Sequence, residues 1–149
     1  MNKLKFTVLI LALPLLMSYA SSATAKAVTW MDLADVAYRR TFSPQLQSFY
    51  EKPIFSKEIA ALSNQKVQIT GYVIPVDTYG DKYFLSSRPN SSCFFCGKGQ
   101  MHEVMELKLK NLPANYKMDE FLTFEGTLQT HTDTYQNFPF SLDNATQVK

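Results

Sequence analysis

Cysteine is nearly absent from this 149-residue chain, which has only Cys93 and Cys96. Two cysteines cannot build the several-bridge framework that holds small secreted domains together, so a disulfide scaffold is excluded. Glycine is scarce too, at five residues, and no repeat or low-complexity tract interrupts the chain. That excludes a linker-rich or disordered polymer. Basic charge is not in marked excess, with 15 Lys+Arg against 13 Asp+Glu, and it is not clustered. Nothing here resembles the footprint of a nucleic-acid binder, and no nucleic-acid partner is expected. G-x-S-x-G, P-loop, dinucleotide and H-E-x-x-H patterns are all missing. With no such constellation, an enzyme is not expected.

Long apolar runs are lacking as well, except at the start. Lys3 and Lys5 precede an apolar stretch from Phe6 to Met17, and small residues then lead to Ala23-Thr24-Ala25. Positive head, short apolar middle and A-x-A site together predict a signal peptide over residues 1–25. A membrane anchor fits less well, because the run is shorter than the roughly 20 apolar residues a spanning helix needs. Pro14 also interrupts it. Neither cysteine lies near the cleavage site, so acylation there is excluded. The expected mature chain, residues 26–149, is periplasmic or extracellular, with no stable membrane insertion. It loses Lys3 and Lys5 and so carries 13 charges of each sign. Its 124 residues suit one domain with a real core.

Two regions follow from the change in apolar period. Over 26–65 a helical segment is expected. Thr29 and Asp32 have capping-box spacing, and Trp30, Leu33, Ala34 and Ala37 fall on one helical face. Thr41-Phe42-Ser43-Pro44 ends that stretch, and Ser56 is placed to cap a second short helix through Leu62. From Lys66 the period becomes two. Val67, Ile69, Gly71 and Val73 alternate with polar or aromatic residues, and Gly71 marks a bend. Tyr79-Gly80-Asp81 should turn into a second strand, Lys82 to Ser86. Met105, Leu107 and Leu109 mark a third, Leu122 to Leu128 a fourth, and Phe138, Phe140 and Leu142 a fifth. The fold class is therefore all-β, shading into α+β through its helical preface: a five-stranded OB-like barrel over 66–149.

The strand Gly71-Tyr72-Val73-Ile74-Pro75 and the loop Cys93-Phe94-Phe95-Cys96-Gly97, preceded by Phe55-Ser56-Lys57-Glu58-Ile59, resemble a family of small exported bacterial OB-like proteins of unknown function. The resemblance runs from about Trp30 to the C-terminus. It implies an OB-like barrel, a bacterial envelope location and, in some members, association with ABC-type metal transport, so an envelope transport component is the implied partner. It implies no reaction. Family members tend to carry small residues, a proline and an acid after Cys-Gly, where this chain has Lys98-Gly99-Gln100-Met101-His102.

Cys93-Phe94-Phe95-Cys96 is the motif that can carry chemistry. Two thiolates at C-x-x-C spacing chelate one ion, and His102 and Glu106 follow closely. Sulfur, nitrogen and oxygen donors in one loop suit tetrahedral zinc. The thioethers of Met101 and Met105 would instead favour copper as Cu(I). The candidate metal ligands are thus Cys93, Cys96, His102 and Glu106, with zinc or copper as the cofactor. Against this stand a plain loop-pinning disulfide in an adaptor or ligand-binding module with no metal, and a redox-active pair. Haem attachment is excluded, since Gly97 stands where C-x-x-C-H needs histidine. His131, in the loop between the fourth and fifth strands, is expected at the opposite end of the barrel and is not counted as a ligand. Intact mass of the exported protein should place its first residue at Lys26. Recovery with Met1 retained in the membrane fraction would contradict the processing expected here.

Overall fold

The computed structural model describes residues 24–76, 81–112 and 114–148. The expected signal segment lies outside the described residues except for Thr24 and Ala25, as does the turn expected at Tyr79-Gly80. In chain order the elements are β1 (Lys26–Ala27), β2 (Val36–Ser43), β3 (Ser48–Phe55), α1 (Lys57–Leu62), β4 (Lys66–Pro75), β5 (Tyr83–Ser86), β6 (Val104–Leu109), β7 (Phe121–Thr130) and β8 (Phe140–Gln147).

Alternating apolar residues become strand from Lys66 onward, as their period requires. β4 pairs antiparallel with β5, and β5 with β6. β6 then pairs parallel with β8, β8 antiparallel with β7, and β7 returns antiparallel to β4. The sheet thereby closes into a five-stranded all-β barrel of OB-like connection. Closure satisfies the backbone groups that open edges would leave unpaired. β4 is long enough to serve both barrel neighbours, residues 66–72 facing β7 and residues 72–75 facing β5, and β1 adds a short parallel pairing at residues 67 and 68. Gly71 sits at that handover. A Cβ there would meet the Ser86 carbonyl oxygen at 2.6 Å and the Leu85 Cγ at 2.9 Å, so no larger residue fits without movement.

The inward residues form one core. Ile69, Leu107, Phe124 and Leu128, each expected on the apolar side of its strand, are buried together with Leu85, Met105 and Leu142. Helix α1 forms where the Ser56 cap predicts it. The Ser56 hydroxyl accepts from the Ile59 amide at 3.2 Å, and Ile59 and Leu62 bury their side chains in the same core. Trp30 adds its ring, donating from Nε1 to the Thr70 carbonyl at 2.8 Å.

The helical segment over 26–65 does not form as expected. Thr29 and Asp32 do cap each other, with Oγ1 to Oδ2 at 2.7 Å, but one turn follows and the chain then enters β2. β2 and β3 make a separate two-stranded antiparallel ribbon, and Ala37 faces outward from it. A capping pair sets where a turn begins and not how far it continues. Val36, Tyr38, Thr41, Phe42, Phe49, Tyr50 and Ile54 are β-branched or aromatic, and their packing preference decides for strand. Removing core volume tests the barrel. Leu128→Ala and Leu107→Ala should each lower stability by about 2–5 kcal/mol in chemical denaturation. Midpoints that barely move in both variants would show that these side chains do not share a core.

Candidate functional site

The C-x-x-C loop joins β5 to β6 and is built from three short 3₁₀ turns, Asn90–Ser92, Phe94–Cys96 and Met101–Glu103. Its polar groups are committed to holding it. Arg88 donates to the Glu103 carboxylate at 3.0 and 3.2 Å, and the other Glu103 oxygen accepts from the Gln100 amide at 2.7 Å. The Asn90 amide donates to Asp119 at 2.7 Å, tying the loop to the connector that follows β6. Gly99 lets the loop close on itself, since a Cβ there would lie 2.8 Å from the Phe94 nitrogen and 3.1 Å from the Cys93 carbonyl carbon.

Within this frame the two cysteines are free thiols that converge. Both donate to one acceptor, the Asn90 carbonyl oxygen, Cys93 at 3.2 Å and Cys96 at 2.8 Å. The two sulfurs are therefore no more than about 6 Å apart. The Cys96 amide also donates to the Cys93 carbonyl at 3.2 Å, closing a turn. Such a turn holds its end Cα atoms within about 7 Å, which overlaps the range a disulfide spans. The pair differs in access: Cys93 is 1% exposed, whereas Cys96 faces solvent.

Cys93 is buried because the outer face of the barrel wall is covered here. Ile74 and Phe84 are cross-strand partners pointing outward, and Cys93 packs on them with Phe138. Phe138 comes from the β7–β8 loop, and its ring lies 4.8 Å from Phe84, 5.6 Å from Phe94 and 5.8 Å from Phe95. That loop was expected at the opposite end of the barrel. It lies at the same end because β6 and β8 run parallel, so the segments entering them begin side by side. His131 nonetheless stays apart from the thiols, with Nε2 3.0 Å from the Ser141 hydroxyl.

The other expected ligands are placed differently. His102 turns toward the ribbon, where Nδ1 lies 3.3 Å from the Tyr38 hydroxyl and the two rings stack at 6.0 Å. Burial pushes the imidazole below its ordinary value, against the opposing pull of the Glu103 charge. Burial likewise pushes the Tyr38 phenol up to about 12, opposed by its hydrogen bond to His102. Glu106 is half-buried in β6 on the rung of Phe84 and Ser141. Met105 is fully buried in the barrel core and offers no sulfur to the loop. Among the described residues, no three His, Cys, Asp or Glu side chains come together as a metal-holding group. The expected four-ligand set is thus not assembled; only Cys93 and Cys96 are brought together. Met101 lines a neighbouring cleft of about 190 Å³ with Tyr38, Glu51, Phe94, Gly99 and Gln100, roofed by the β2–β3 ribbon.

Two features escaped sequence reasoning. Tyr38 was hidden in a stretch with a helical cap, although its aromatic and β-branched company carried the strand signal. Asn90 lies three residues before Cys93, a spacing that carries no metal or redox signature.

No family model matches the chain, and no protein with a curated description matches it. Among solved structures it is similar to a DUF3299 family protein from Pseudomonas aeruginosa PAO1. Identity is 15% and the TM-score 0.49, over 85% of this chain and 97% of that one.

The neutral His102 ring gives a pH signature. A base whose folded value is depressed favours the unfolded state once that state takes a proton. Its contribution should be complete above about pH 6.5 and decline as pH falls below that value. Thermal midpoints of the native protein should therefore fall from pH 7.5 to pH 5 more steeply than those of His102→Gln. Parallel curves would show that the Tyr38–His102 contact does not depend on the neutral ring.

Proposed function

We propose that this chain is an exported, non-enzymatic OB-like protein of the bacterial envelope that holds a thiophilic metal ion between Cys93 and Cys96. The observation that carries the reading is the convergence of both free thiols on the single carbonyl of Asn90. A loop already braced by Arg88, Glu103, Asp119 and Gly99 brings the two sulfurs together, so binding needs little reorganisation. Zinc in a structural site asks for four tetrahedral ligands. Cu(I), a soft d¹⁰ ion, accepts two thiolates alone. With two ligands assembled, copper is the better fit of the two expected metals. The polar side chains around the pair hold the loop in place and form no nucleophile–base couple, which favours carriage or sensing over catalysis. Envelope location and a link to metal transport remain what the family resemblance implies, and they belong to this proposal.

The turn that brings the thiols together also favours a second reading, a local disulfide pinning the loop of an adaptor. The two readings separate in one preparation. Protein purified anaerobically should show two reactive thiols after unfolding and take up about one Cu(I) per chain. Cys96→Ser, an exposed and structurally mild change, should abolish uptake. His102→Ala and His131→Ala should leave it nearly unchanged, since neither ring reaches the sulfurs. Protein isolated fully oxidised, and binding no ion even after reduction, would end the metal reading and leave the disulfide.

A further inference from the structure

The β2–β3 ribbon does more than roof the cleft. It is held on one face by Tyr38, stacked on His102, and on the other by Tyr50, one rung behind the two phenylalanines and edge-on to Tyr135 at 5.4 Å. Its tip presents three large apolar side chains to solvent. Phe42, Leu46 and Phe49 are 51%, 48% and 56% exposed, and the two phenylalanine rings touch at 5.3 Å across the last rungs. Large apolar side chains grouped at one exposed end mark a contact surface more often than chance exposure does.

The charge behind the tip bears on what could cover it. Arg39 stands directly opposite Lys52, and Arg40 opposite Glu51, in the pairing register. Like charges on one rung weaken a ribbon, so the Arg39–Lys52 rung costs stability in the isolated protein. Among the described residues the ion pairs are Lys66–Glu125, Arg88–Glu103 and Lys108–Asp143, so none of these three cations is neutralised that way. Arg40 instead lays its guanidinium over the Phe49 ring at 4.6 Å. The ribbon thus carries three cations and a single carboxylate, Glu51, whereas the chain from Lys26 onward is balanced. A second copy is a poor occupant, because its own cations would face these. Strand addition is also a poor fit, with charged side chains along the ribbon and Pro53 in β3.

We propose that the β2–β3 tip docks on a bilayer surface bearing anionic headgroups. Phe42, Leu46 and Phe49 enter the interfacial layer, while Arg39, Arg40 and Lys52 meet the lipid phosphates behind them. An aromatic tip with a basic collar has both terms that interfacial binding uses, apolar burial and attraction to anionic lipid. Nothing spans the bilayer in this arrangement, in keeping with the lack among the described residues of any helix long and apolar enough to cross it. The tip would hold the cysteine loop, which lies under the ribbon's base, close to the membrane.

Co-sedimentation of the processed protein with vesicles of phosphatidylglycerol and phosphatidylcholine, and with phosphatidylcholine alone, tests this. Binding should appear with the anionic vesicles and weaken with added salt. It should fall by about fivefold for each cation removed in Arg39→Gln and Lys52→Gln. The triple variant Phe42→Ser, Leu46→Ser, Phe49→Ser should lose it while keeping the native circular dichroism spectrum, since these side chains lie outside the core. No preference for anionic vesicles, or equal binding by the triple variant, would overturn the proposal. A concentration-dependent dimer that the triple variant abolishes would overturn it too, by showing that a second copy covers the tip.

Discussion

The parallel pairing of β6 with β8 is the constraint on which the site depends. Antiparallel neighbours joined in series alternate their loops between the two ends of a sheet. A single parallel pair breaks that alternation and sets the starts of two strands side by side. The β5–β6 loop with its cysteines and the β7–β8 loop with Phe138 therefore share one end of the barrel. Phe138 can then cover Phe84 and Phe94, the outer wall acquires a small second core, and Cys93 is buried in it. Without that cover Cys93 would be a surface group like Cys96.

Burial and hydrogen bonding act together on the loop. The aromatic cluster fixes its distance from the barrel, and Arg88, Glu103 and Asp119 fix its orientation. What remains unassigned is the pair of sulfurs, facing one carbonyl oxygen that a bound ion would replace as their partner. Their unequal access adds a direction. A ligand arriving from solvent meets Cys96 first and Cys93 second, as a handover through ligand exchange would require. The ribbon, seated through Tyr38 on His102, lines the cleft beside the loop.

Strands β4 to β8 were legible because alternation of inward apolar residues is a local property, although Phe138, expected in the last of them, falls in the loop before it; Ser56 announced α1 through a local hydrogen bond. The ribbon was not. Thr29 and Asp32 cap a turn in earnest, and spacing alone cannot say whether a helix follows it. The position of His131's loop was misjudged for a different reason, since strand pairing across the barrel leaves no periodic trace in sequence. The residues expected as metal ligands show the same limit. Proximity in sequence correctly joined Cys93 to Cys96, whose partnership is made by one turn. It does not foresee the placement of Met105, whose strand alternation sends it into the core, or of His102, which long-range packing turns toward Tyr38.

The central claim is that two sulfurs, and no imidazole, hold the ion. X-ray absorption at the copper edge, on reduced protein loaded anaerobically and freed of excess metal, tests it most directly. The account predicts a first shell of sulfur neighbours alone in the native protein and in His102→Ala alike. A shell of nitrogen or oxygen neighbours, or protein that emerges from desalting without copper, would contradict it.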